Sequence, residues 1–172
     1  IEDWNINSSV LKRGIALTPV KFGISFTLTH LNQAGALVHL YQDGTVRLNH
    51  GGTEMGQGLF QKVAQIAAKS FGLELSLIKI TATDTGKVPN TSATAASSGT
   101  DLNGMAVKLA CDEICDRISQ FLAEYYQEKT AIVRFDGGSV HIGKHEITFQ
   151  NAVQLCYQNR ISLSATGFYK TP

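Results

Sequence analysis

The sequence predicts an α+β (mixed α/β) fold, and three observations carry that reading. Residues 13–49 hold β-leaning segments punctuated by turn residues. Two stretches, around 59–67 and 102–125, repeat apolar residues at helical spacing. After residue 131, short strand patterns and one short helical pattern follow each other to the end of the chain.

Each element has a local cause. Arg13 to Val20 is apolar and β-leaning, and Lys21 to Thr29 places Phe22, Ile24, Phe26 and Leu28 at alternate positions, the period of a strand. Ala36 to Gln42 reads as a third strand. Asp43-Gly44 is a two-residue hairpin signal, after which Thr45 to Asn49 pairs back. Leu59, Val63, Ile66 and Ala67 predict a helix that stops at Gly72. Leu77 to Thr83 reads as a strand. Residues 84–100 are small and hydroxylated and predict a loop. Leu102, Met105, Leu109, Ile114, Ile118, Phe121 and Tyr125 predict one long amphipathic helix. Ala131 to Phe135 and Ser139 to Ile142 form a hairpin around Asp136-Gly137. Phe149 to Cys156 is a short helix, and Ser162 to Phe168 a last strand.

Composition narrows the function classes. The chain has 172 residues, 15 basic and 14 acidic, for a formal charge of +1, with 43% apolar and 17% charged residues. That balance describes a folded domain and offers nothing to a nucleic acid. No apolar run reaches the roughly 18–20 residues needed to cross a bilayer, so no membrane role is expected. The chain opens on IEDWN without an initiator Met, which suggests a start inside a larger protein. Cys111 and Cys115 share a helix face, but no metal-ligand spacing follows them. With Cys156 they are expected to be reduced core thiols, as in a cytoplasmic protein. His141 and His145 flank a Gly143-Lys144 turn and are expected to diverge.

Two loops carry the chemistry. Loop one, HGGTEMGQG at 50–58, has four glycines in nine positions and feeds a helix. Glycine lets a backbone approach a ligand, and a helix N-terminus offers N–H groups to an anion. The spacing is neither a dinucleotide fingerprint nor a P-loop, and it also fits a tight turn with a helix cap. Glu54 is open to two readings, a base or a helix-terminal acid. Loop two, residues 90–100, offers Thr94, Ser97, Ser98 and Thr100 hydroxyls beside the small Ala95, Ala96 and Gly99. It suits an oxyanion or phosphate held by main-chain N–H groups, and equally a surface loop that caps the next helix. No nucleophile–base pair stands out.

The runs LKRGIALTPVKFGISF (11–26), LNQAGALVHLYQDGTV (31–46), HGGTEMGQGL (50–59), PNTSATAASSGTDLNGMAV (89–107) and LSATGFYKTP (163–172) resemble the xanthine dehydrogenase/oxidase family. They match its large, molybdenum-cofactor-binding portion. The resemblance implies a fragment, residues 1–172, of that single domain. It implies purine hydroxylation, hypoxanthine to xanthine to urate, at a molybdenum-pterin centre, with FAD and 2Fe-2S groups in other domains or subunits of an oligomeric parent. It assigns Phe26 and Thr27 to the purine, one against the ring face and one hydrogen-bonding it, and Leu28 and Leu31 to the same channel. It assigns Met55, Gly56, Gln57, Thr94, Ala95, Ala96, Ser97, Ser98 and Gly99 to the cofactor, with Ala96 beside the metal. Ala93 stands where relatives often have proline, and Ser98 and Gly99 where relatives vary. The family's Gly-Glu-Pro-Pro run, source of its catalytic base, is absent, so no catalytic residue is assigned and the isolated chain is expected to be inactive. Alternatives are a fragment of an aldehyde or N-heterocycle hydroxylase, or a non-catalytic relative.

Overall fold

A computed structural model describes residues 1–21, 23–88, 90–128 and 133–172. Its organising element is β1 (Gln33–Leu40), whose alternate residues Ala34, Ala36, Val38 and Leu40 are buried. Strand β2 (Val46–His50) repeats the pattern with Val46, Leu48 and His50. Between them Gly44, in the left-handed region, donates its N–H to Tyr41 O, and Asp43 Oδ1 accepts the Thr45 N–H at 2.9 Å. The turn therefore occupies Gln42 to Gly44, one residue longer than the Asp-Gly signal implies.

Helix α2 (Leu59–Phe71) ends at Gly72, as its spacing predicts, and returns the chain to the short strand β3 (Ile78–Ile80), parallel to β2. Helix α3 (Gly99–Tyr125) runs 27 residues. Strands β4 (Val133–Asp136), β5 (Ser139–Ile142) and β6 (His145–Thr148) form an antiparallel three-stranded sheet. Helix α4 (Phe149–Gln158) follows, N-capped by the Thr148 hydroxyl, and β7 (Ser164–Lys170) returns to the first sheet, whose order is β3-β2-β1-β7.

The core lies where α2 and α3 cover this four-stranded sheet. Ala36 is paired with His50 on one side and Gly167 on the other. At Gly167 the sheet meets α3 backbone to backbone: a Cβ there would stand 1.9 Å from the Ala106 carbonyl oxygen. That contact seats α3, and hence its N-terminal end, against the sheet.

The strands expected over Arg13–Val20 and Lys21–Thr29 do not form. The segment is irregular and Ile15, Leu17 and Val20 are exposed. At Phe26 the physical reason is that the backbone is satisfied elsewhere. The buried Asn32 side chain accepts the Phe26 N–H at 2.8 Å and donates to the Phe26 carbonyl at 2.9 Å, replacing a strand partner. Ser25 takes φ 102°, incompatible with an extended run, and a single 3-10 turn follows at Thr29–Leu31. Phe22 and Pro89, and residues 131–132 of the first hairpin strand, lie outside the described residues. A short helix, α1 (Glu2–Asn7), is an element the sequence reading lacks.

The cysteines are reduced, and burial pushes the Cys115 and Cys156 thiols up to about 12. His141 faces Glu146 across the β5–β6 pair while His145 faces Glu128, so the two histidines diverge. Among the described residues no three His, Cys, Asp or Glu side chains gather as a metal site, and no helix is long and apolar enough to cross a membrane.

His50 ends β2 almost wholly buried, and desolvation lowers its pKa from 6.5 to about 4, against an opposing pull from the Glu54 carboxylate. Its neutral form is the native one, so the unfolded chain binds the extra proton below pH 6.5. The stability from this site is therefore complete above that pH and falls away as pH drops toward 4, by up to about 3 kcal/mol. Urea titrations across this range should show a steeper acid loss for the native sequence than for His50→Gln. The α3–β7 contact makes a second prediction. Gly167→Ala should lower unfolding free energy by about 2–4 kcal/mol, whereas Gly14→Ala, with open space around it, should change it by less than about 0.5 kcal/mol. Equal urea midpoints for the two variants would contradict the packing described.

Candidate functional site

Loop one leaves β2 at His50 and enters α2 at Leu59. Five of its backbone N–H groups, those of Gly52, Thr53, Met55, Gly56 and Gly58, are engaged by side chains. Gly52 N–H donates to His50 Nδ1 at 3.1 Å, and Thr53 N–H to Thr94 Oγ1 at 2.8 Å. Met55 N–H donates to Gln57 Oε1 at 2.6 Å, while Gln57 Nε2 donates back to Thr53 O at 2.9 Å. Glu54 takes three more: Gly56 and Gly58 N–H on Oε1, and Phe60 N–H on Oε2. These bonds, led by that from Phe60, hold the Glu54 carboxyl below the usual carboxylate range. Of the two readings left open for Glu54, the helix-terminal acid is the one built here. Of the N–H groups in the first turn of α2, that of Phe60 is taken by this carboxylate.

Loop two reaches α3 through Ala96 and Ser97, both at φ 53°, a costly conformation for residues with a Cβ. The Ser98 hydroxyl turns inward to Ala95 O at 3.0 Å and is buried. One turn into α3, buried Asn103 donates from Nδ2 to Gly99 O at 2.8 Å. The loops also touch through Gly51, where a Cβ would stand 2.0 Å from the Thr91 side chain. The Thr83 hydroxyl lies 3.1 Å from the carbonyls of both His50 and Gly52, and donates to this turn.

Between the loops lies a cavity of about 470 Å³. Met55 and Gln57 from loop one and Leu59 and Lys62 from α2 form one wall. Thr94, Ala95, Ala96 and Ser97 from loop two, with Gly99 and Thr100 from α3, form the other. There are two larger concavities, one beside the N-terminal segment and one between α2 and α3 that shares only Thr100 with this cavity. Of the residues assigned to a cofactor by resemblance, Gly56 and Ser98 do not face this cavity.

The residues assigned to a substrate approach loop two from outside. Ser25 N–H donates to Ala96 O at 3.3 Å, and the Ser92 hydroxyl donates to Leu31 O. Phe26 is half-buried, Thr27 and Leu28 are exposed, and Leu31 is half-buried. None lines the 470 Å³ cavity. Lys62, Asn32, Asn103 and Thr83 are missing from the sequence reading. Asn103 had a signal, a polar residue beside Leu102 on the buried stripe of a helix; Asn32 had none.

All 172 residues match the family model of the molybdopterin cofactor-binding domain. The chain is 46% identical over 172 residues to a xanthine dehydrogenase of Blastobotrys adeninivorans, covering 100% of this chain and 11% of that protein. It is 47% identical to the xanthine dehydrogenase/oxidase of Gallus gallus over the same shares. Thus it spans about 11% of the length of these relatives. Two solved structures share the fold. One is CO dehydrogenase from Oligotropha carboxidovorans, with TM-score 0.72 and 21% identity over 81% of this chain and 18% of that one. The other is quinoline 2-oxidoreductase from Pseudomonas putida 86, with TM-score 0.72 and 22% identity over 80% and 19%. With a match running from the first residue to the last, the chain belongs to the molybdopterin cofactor-binding domain family.

Proposed function

We propose that these residues form part of the active centre of a purine-hydroxylating molybdenum enzyme, a xanthine dehydrogenase, of which the chain is one portion of the molybdenum-binding domain. The observation that carries the reading is the Thr53 N–H to Thr94 Oγ1 hydrogen bond, 2.8 Å long, which closes two ligand-type loops around one cavity. The wall chemistry fits a phosphorylated pterin. Alanine and glycine admit a flat ring system, hydroxyls of Thr94, Ser97 and Thr100 can donate to oxygens, and one ammonium is present. When bound, that group supplies the two-electron chemistry.

The chain's own part is binding and orientation. Met55 and Gln57 hold one side of the cofactor, with Gly56 shaping their loop. Thr94, Ala95, Ala96, Ser97 and Gly99 hold the other, with Ser98 fixing the turn. Ala96 presents only a methyl group, which suits a place beside the metal from which water is excluded. Phe26 offers an aromatic face to a purine, Thr27 a hydroxyl, and Leu28 and Leu31 an apolar channel. Asn32 and the Ser25–Ala96 bond tie that surface to loop two. Glu54, closed into its helix cap, is not free to act as a base, so the base belongs to another part of the parent. FAD and 2Fe-2S groups, a cytoplasmic site and an oligomeric state complete the proposal for the parent.

In the full-length parent, Phe26→Ala should raise KM for xanthine about tenfold or more while molybdenum content stays at the wild-type level. Steady-state urate formation and metal analysis test this. A wild-type parent that oxidises aldehydes but never xanthine would overturn the substrate assignment. The isolated 172-residue chain should hydroxylate no purine even with cofactor added, because it lacks a base. Urate formation by that chain would disprove it.

A further inference from the structure

The N–H groups of Gly56, Gly58 and Phe60 are taken by Glu54, which places a negative charge at the start of α2. Those three donors are therefore not open to an anionic group in the cavity, which gains from a positive partner on the wall. Lys62 is the one charged side chain on the cavity wall among the described residues. It stands one turn into α2, with its N–H on Gly58 O at 3.1 Å. Lys87 and Lys108 each form an ion pair with an aspartate, whereas no carboxylate of a described residue pairs with Lys62. The same cavity is lined by the hydroxyl-bearing Thr94, Ser97 and Thr100.

We infer that Lys62 is the cation that anchors the phosphate end of the cofactor, with the hydroxyls of loop two and α3 completing the oxygen contacts. The assignment rests on the function proposed above. An ammonium serves this role as a point charge on a flexible stem, and its bond to a phosphate oxygen is charge-assisted on both sides. The contact neutralises the ligand's charge on a wall that carries no other charged side chain among the described residues.

The test uses the full-length parent carrying Lys62→Ala, Lys62→Gln or Lys62→Arg, with Lys69→Ala on the same helix as a control for net charge. Molybdenum and phosphorylated pterin per protomer are measured after dialysis at low and at high ionic strength, together with the melting temperature of the cofactor-free proteins. The Ala and Gln variants should hold cofactor about tenfold less tightly, and the deficit should narrow at high salt as the wild type weakens. Arg should restore most of the loading, and Lys69→Ala should match wild type. Unchanged melting of the cofactor-free Lys62→Gln protein shows that the loss is one of binding. Full loading of both neutral variants overturns the Lys62 assignment and leaves the proposed function standing. A wild-type parent purified without molybdenum or pterin overturns both.

Discussion

The absence of a side chain at Gly167 lets β7 lie directly against the backbone of α3. Much of the molecule hangs on that approach. Strand β7 pairs with β1, β1 pairs with β2, and β2 delivers His50 and loop one. Helix α3, pressed on the same strand, delivers loop two at its N-terminal end. Two loops separated by some forty residues thus meet because one backbone contact sets the height of the helix above the sheet. A Cβ at this point would displace α3, and the Thr53–Thr94 bond would lengthen with it.

The Thr53–Thr94 hydrogen bond joins the loops, and a buried polar side chain sits at the base of each. His50 accepts from Gly52, and Asn103 donates to Gly99. His50 Nε2 and Asn103 Oδ1 have no hydrogen-bond partner among the described residues. Buried groups of this kind cost stability when left unpaired, and they sit at the base of the loops while the apolar core fills the space between helices and sheet. The acid sensitivity expected of His50 arises from the same burial.

The helices and hairpins were legible because their signals are local. Leu59, Val63 and Ala67 repeat along α2, Gly72 stops it, and Asp43-Gly44 and Asp136-Gly137 mark turns within a few residues of the strands they join. The 13–29 segment misled because alternation says which residues share a face, not whether a neighbouring strand exists to pair with. There a side chain six residues on, Asn32, takes the Phe26 backbone. The loops stood out by composition, but the destination of their N–H groups did not, since whether Glu54 folds back depends on loop geometry. Lys62 was hidden for a related reason. Helical spacing shows that it leaves the buried stripe, and only the packing of α2 on α3 shows which part of the exposed face looks into a cavity.

The electrostatics of the site follow from that distinction between count and position. A formal charge of +1 over 172 residues says nothing of local fields. In loop one the helix start is neutralised from within by Glu54, an arrangement that secures the loop without a ligand. Such a loop is preformed, so a ligand need not order it and loses less of its binding energy to that task. The role proposed for Lys62 follows from the same point: the Glu54 carboxylate engages the Gly56, Gly58 and Phe60 donors, and the positive charge on the cavity wall comes from the helix that follows.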